Sequence, residues 1–198
     1  MNFLAHLYLS EDEPEIMVGN FIGDFVRGRN VYDQFNHNIA LGIELHRQID
    51  EFTDHHHIVL ESKKRLRTKY RHYAPVIVDV FYDHFLAIHW PTLHTQTLPD
   101  FAEYAYSQLE IHQAILPEGV LQMMPYMIRG NWLVNYAKTE GIHRALSGMS
   151  RRTPYDSKMD EATQDLEKYF TEFENEFLLF FPELRQMSEL FISSKRIG

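Results

Sequence analysis

At 198 residues, 44% of them hydrophobic and 14% aromatic, the chain is long enough for one domain with a substantial core and too apolar to be disordered. Its 28 acidic and 19 basic residues leave a net charge of −9, which argues against general nucleic-acid binding. The absence of cysteine removes thiol nucleophiles, disulfides and Cys-ligated zinc, and fits a cytoplasmic protein.

No stretch approaches the ~20 apolar residues of a membrane span. The opening MNFLAHLYLSEDEP lacks the basic leader of a secretory signal and turns acidic at once. No alternation typical of strands is present, so residues 1–198 are expected to form a single all-helical domain. Residues 2–9 make a short apolar element, and Pro14 opens the next helix from its first turn. Gly19, Gly23 and Gly28 punctuate GNFIGDFVRGRN, with spacing that matches neither a dinucleotide fingerprint nor a phosphate loop. Within this stretch Asp24 lies between apolar neighbours and Arg27 follows one turn later, which fits a local ion pair or a functional group.

From about Asn36 to Tyr73 the pattern predicts one long helix or two, broken near His55–His57. At ~100° per residue Ile39, Ile43, His46, Asp50 and Asp54 share one sector, so an apolar stripe turns acidic partway along. Downstream, ESKKRLRTKYRH carries six basic residues and one acidic, among them Lys63, Lys64 and Arg65. A solvated helix face and a docking patch for an acidic partner both fit that run.

Pro75 starts the next helix and Pro91 marks its end. In between, Asp79, Asp83 and His84 are surrounded by Val, Ile, Phe, Tyr, Leu and Trp. A carboxylate stranded there costs several kcal/mol unless a cation, hydrogen bonds or a proton relieves it. Phe101–Leu116 is assigned to packing. Glu118–Lys138 is rich in Met and aromatic residues that fill a core or, if they line a cleft, hold an acyl or pantetheine-like chain. Gly141 and Gly148 bracket a short helix, followed by Arg151-Arg152-Thr153-Pro154, either a phosphate clamp or an ordinary loop. A brace helix from about Asp156 to Phe181 is expected to stop at Pro182, with a short helix after it.

Elimination narrows the chemistry. There is no Gly-x-Ser-x-Gly elbow and no His-Glu-x-x-His zinc motif. The one Glu-x-x-His, at Glu140–His143, is interrupted by a glycine that makes it a poor di-iron ligand pair. What survives is a mixed oxygen and nitrogen site drawn from Asp24, His46, Asp50, Asp79, Asp83 and His84, with His6 as an addition, or else a structural salt-bridge core of the same residues. Such donors suit Mn²⁺, Fe²⁺ or Mg²⁺, and the imidazoles favour manganese.

The segments MNFLAHL, GNFIGDFVRG, LHRQID, DVFYDHFLAIHW and LSGMSRRTPY, in that order, resemble the successive motifs of the acyl carrier protein phosphodiesterase family. The resemblance runs from residue 1 to about 155 and more loosely beyond. It implies an all-helical fold distantly related to HD-domain phosphohydrolases, a manganese requirement, and hydrolysis of holo-acyl carrier protein to the apo-carrier and 4′-phosphopantetheine. Carried over by motif, Asp24 is the foremost position, followed by His6, His46, Asp50, Asp83 and His84. The HD signature joins His to Asp, whereas here the order at 83–84 is Asp-His, so that signature's ligands do not transfer.

On this footing Asp24, His46, Asp50 and Asp83 are expected to hold the ion and His6 or His84 to relay the proton. Arg27, Arg151 and Arg152 would meet the phosphoryl oxygens, and Lys63, Lys64 and Arg65 the acidic carrier. The competing expectations are a phosphohydrolase acting on a nucleotide or another small diester, and a non-enzymatic helical binding module.

Overall fold

The computed structural model describes residues 1–196, and every regular element among them is helical. In chain order these are α1 (Phe3–Tyr8), α2 (Pro14–Ile22), α3 (His37–His55), α4 (His57–Tyr70), α5 (Ala74–Leu93) and α6 (Leu98–Ile111). They continue with α7 (Glu118–Arg129), α8 (Trp132–Asn135), α9 (Thr139–Ser150), α10 (Ala162–Lys168) and α11 (Phe170–Arg196). Together they form one compact helical domain, and no helix is long and apolar enough to cross a membrane.

Local chemistry sets most boundaries. The Asn36 side chain accepts the Ile39 amide hydrogen at 3.0 Å and starts α3, and Thr97 caps α6 by accepting from the Asp100 amide. The chain breaks at His56, whose extended backbone separates α3 from α4 inside the expected interval. Two prolines do not end their helices as expected. Pro91 sits in the last turn of α5, which runs on to Leu93, and Pro182 lies inside α11. Around Pro182 the neighbours Leu178 and Leu179 are exposed while Phe177, Phe180, Phe181 and Leu184 are buried. The Leu178 carbonyl that proline leaves without a donor therefore lies toward solvent, while the aromatic face holds the helix together. Gly141 and Gly148 likewise lie within α9, and α11 begins at Phe170, well after Asp156.

Helix α5 is the centre of the domain: twelve of its residues are buried, and the aromatic face of α11 packs on it through pairs such as Phe81–Phe173 and Tyr82–Phe177. Each such side chain contributes roughly 1.5–3 kcal/mol by leaving water. More important for function is the crossing of α2 over α3. A Cβ on Gly19 would come 2.1 Å from the Ile39 carbonyl oxygen, and one on Gly42 would come 2.2 Å from the Ile16 carbonyl oxygen. The two backbones thus touch at a pair of glycines. That contact brings the end of α2, with Asn20 and Asp24, against His46 of α3.

Candidate metal centre

Four side chains from two helices and a turn converge. Rings of His6 on α1 and His46 on α3 stack with centroids 4.0 Å apart. His6 Nε2 lies 3.3 Å from Asp50 Oδ1, and His46 Nε2 lies 3.1 Å from Asp50 Oδ2 and 3.2 Å from Asp24 Oδ1. Asp50 follows His46 by one turn of α3, whereas Asp24 comes from a single 3₁₀ turn, Gly23–Phe25, at the end of α2. Gly23 is needed there because a Cβ would sit 2.2 Å from the His46 ring. His6, His46 and Asp50 each offer one atom, and these atoms lie within 4.8 Å of one another, a spacing able to surround a single ion. Both rings are buried, but the Asp24 side chain is 71% exposed, so the group opens to solvent on that side.

The orientation of both rings depends on Asn20, which is fully buried on α2. Its Nδ2 donates to the His6 carbonyl oxygen at 2.6 Å and to Ser10 Oγ at 3.0 Å, and this fixes which way the amide points. Its Oδ1 therefore faces His6 Nδ1 at 2.8 Å and accepts from it, while its main-chain oxygen accepts from His46 Nδ1 at 2.7 Å. With a proton on each Nδ1, Nε2 is the lone pair of each ring in its neutral form. His6 Nε2 and Asp50 Oδ1 then oppose two lone pairs at 3.3 Å, which only a proton or a cation between them can reconcile.

The electrostatics agree. Burial alone would lower the His46 pKa, but the carboxylates of Asp24 and Asp50 raise it to about 9. Burial and the neighbouring His46 charge hold His6 below its usual value. Asp50 is driven well below the carboxylate range by His46 and His6 against the cost of burial, and Asp24 is lowered by its hydrogen bond to His46. The two carboxylates thus favour a proton on His46.

The other residues singled out by sequence are placed differently. Asp83 is not joined to the group, a correction to its expected ligand role. Both its oxygens accept main-chain hydrogens, from Leu4 at 2.8 Å and Ala5 at 3.1 Å. These amides belong to the first turn of α1, which has no capping side chain of its own, so Asp83 serves as a cap supplied from α5. His84 also lies apart: it is buried, with Nδ1 2.7 Å from the Tyr136 carbonyl oxygen and its ring against Phe170. Asp79 meets the Met1 amine at 3.2 Å, and that amine is also 3.7 Å from Asp50. Arg27 is exposed and forms no pair with Asp24 among the described residues.

Part of the basic run is spent on acids of the molecule itself. Lys63 bonds Asp54 at 2.7 Å, and Arg65 grips Glu176 through both terminal nitrogens at 2.8 and 2.7 Å beneath the Phe173 ring. Lys64 alone of the three projects, 76% exposed near Glu61. This corrects the expectation that Lys63 and Arg65 face a partner. Arg151 and Arg152 are exposed at the end of α9, and Arg152 borders a cavity shared with Phe3 and Phe25. Asn20, which holds both rings, carries no expectation from the sequence, and Gly23 stands out there for its spacing alone. The available signal was a lone amide in the otherwise apolar buried run Ile16–Ile22.

The helical domain thus carries a triad, His6, His46 and Asp50, that could hold a metal ion, with Asp24 on its solvent side. Comparison with known proteins makes the assignment specific. Residues 1–184 match the family model described as acyl carrier protein phosphodiesterase, and the chain belongs to that family. A relative of that name from Photorhabdus laumondii is 37% identical over 190 residues, covering 96% of each chain. One from an Enterobacter species is 36% identical over 93% of this chain and 95% of its own, and one from Yersinia pestis is 35% identical over 96% and 98%. No solved structure matches the chain.

Proposed function

We propose that this protein is a divalent-metal phosphodiesterase that hydrolyses holo-acyl carrier protein to the apo-carrier and 4′-phosphopantetheine, working in the cytoplasm where that carrier works. The observation that supports it best is the opposition of His6 Nε2 and Asp50 Oδ1 at 3.3 Å within a family whose relatives are named for that activity. His6, His46 and Asp50, with Asp24 beside them, would hold the ion, and a set of imidazole plus carboxylate suits Mn²⁺ or Fe²⁺ better than Mg²⁺. When bound, such an ion supplies Lewis acidity toward a phosphoryl oxygen and acidifies water.

The chain's own residues do the rest. Asn20 keeps both Nδ1 protons turned away, so that both Nε2 lone pairs point inward. Asp24, ionised and the most exposed of the four, stands where a diester must arrive and can take a proton at Oδ1. Arg27, three residues on, and Arg152 across the cavity mouth are the cations free to grip non-bridging oxygens. Water adds to phosphorus, the bond from phosphorus to the carrier's seryl oxygen breaks, and that oxygen leaves with a proton.

The test is elemental analysis of protein purified without chelator, with the mass of holo-carrier measured after incubation with Mn²⁺. Loss of the phosphopantetheine group and its suppression in Asp24→Ala are expected. An intact carrier, or faster turnover of a free nucleotide, would overturn the reading.

A further inference from the structure

Beside the metal centre lies a second feature that the reaction as described leaves unused. A cavity of about 490 Å³ opens between α7, α8 and α9, within the ~300–1,000 Å³ typical of small-molecule sites. Its walls are mainly apolar, formed by Met123, Trp132, Ala145 and Met149, with Asn135 among them. Phe3 and Phe25 complete it at one end. Phe3 precedes His6 by one turn of α1, and Phe25 directly follows Asp24, so the wall of the cavity begins at the residues that flank the candidate metal ligands. Arg144 and Arg152 also line it, both exposed and without ion pairs among the described residues. Next to this mouth a shallower cleft carries Arg129 and the 60% exposed Tyr126. In a chain of net charge −9 these arginines have no ion-pair partner among the described residues, whereas Lys63 and Arg65 of the basic run on α4 are neutralised internally.

Resting on the carrier phosphodiesterase reading, we propose that this cavity receives the pantetheine arm of the carrier's prosthetic group, with the arm's phosphate at the Asp24 end and the acidic carrier against the arginines of the mouth. An arm that alternates methylene segments with amides matches walls that are mainly apolar with a few polar side chains, Asn135 among them. Its phosphate end matches the flank of the cavity formed by Phe3 and Phe25, next to the candidate ligands His6 and Asp24. The occupant is thus a part of the substrate that does not react, held to place the scissile bond.

Gly148 gives a clean test. It lines the cavity from within α9, and a Cβ built on it meets no atom within 4 Å, so a side chain there grows into empty space. Replacing a helical glycine also favours the helix by roughly 0.5–1 kcal/mol, which guards the fold. In the series Gly148→Ala, Gly148→Leu and Gly148→Phe, KM for holo-carrier should climb stepwise, reaching about tenfold or more at Phe as arm binding is lost. Mn²⁺ affinity by calorimetry and the thermal midpoint should stay at wild-type values or better. A Gly148→Phe protein with the parental KM overturns the assignment. So does one whose loss is matched by loss of Mn²⁺ binding, because the effect would then lie at the metal centre. A wild-type protein that leaves holo-carrier intact fails the functional reading itself, a distinct result.

Discussion

Replacing Asn20 by alanine tests the architecture of the centre at a residue that touches no substrate. Asn20 is fully buried and serves His6 twice, accepting from Nδ1 and donating to the carbonyl oxygen, while its second amide hydrogen reaches Ser10. Truncation leaves the His6 N–H and carbonyl without that partner. The Ser10 hydroxyl loses less, because it still donates to the same His6 oxygen at 2.9 Å. The carbonyl keeps that Ser10 donor, so the group left unsatisfied is the buried Nδ1–H, at a cost of about 1–3 kcal/mol. For a chain of this size each kcal/mol lowers Tm by ~2–4 °C, and a fall of roughly 5 °C is expected in a thermal melt of the metal-free protein. His46 should be spared directly, since its Nδ1 bonds the main-chain oxygen of residue 20. The second readout is metal affinity: freeing the His6 ring to rotate or change tautomer should weaken Mn²⁺ binding by ~10–100-fold. If Tm drops as expected while the Mn²⁺ dissociation constant is unchanged, Asn20 is a packing residue only, and the account of how the imidazoles are aimed is wrong. An unchanged Tm would contradict the hydrogen-bond geometry itself.

Other consequences are smaller in scope. Gly23→Ala adds one methyl group that must displace the His46 ring, so Mn²⁺ binding and turnover should fall sharply for a stability cost of about 1–3 kcal/mol; retained activity would mean that the 3₁₀ turn yields instead. Burial raises the Asp83 carboxyl to about 7 against the opposing pull of the Leu4 and Ala5 amides and the chain's amine. A carboxyl whose folded pKa lies above its unfolded value, near 4, binds its proton more tightly when folded, so its stabilising contribution is present in acid and is lost as pH rises from about 4 to 7. In urea titrations Asp83→Asn should flatten that part of the stability profile, and a profile identical to wild type would show that the group is already ionised. Lys64→Glu should leave Tm within about 1 °C, whereas Arg65→Ala should cost roughly 1–3 kcal/mol by stranding the half-buried Glu176; equal effects would put both residues on the surface.

The centre was legible where its signal was local. His46 and Asp50 are four residues apart on one helix, and a stripe that turns from Ile39 and Ile43 to acid is visible in the sequence. Asp24 stood out as a charge in an apolar run. His6 carried little signal, being a single histidine on a helix of six residues, although the structure gives it a full share of the site. Asp83 shows the opposite case. Its apolar surroundings correctly announced a carboxylate needing relief, but hydrophobic pattern does not distinguish an ion from two main-chain amides, and here the amides of α1 provide it. Pro182 misled for a related reason: whether a proline ends a helix depends on whether the carbonyl it frees faces solvent or core.

The amino-acid sequence by itself determined that the chain is all-helical, where most helices start, and which acids and imidazoles stand in apolar company. These follow from periodicity, caps and turn residues, all of which act over a few neighbours. Only the tertiary structure decided that Gly19 and Gly42 let α2 and α3 touch, that His6 stacks on His46 from forty residues away, and that Asn20 aims both rings. It also decided that Lys63 and Arg65 are consumed by Asp54 and Glu176 while the arginines around α9 remain free. Which polar groups meet depends on how helices cross, and a crossing is set by steric fit between surfaces that no local pattern contains.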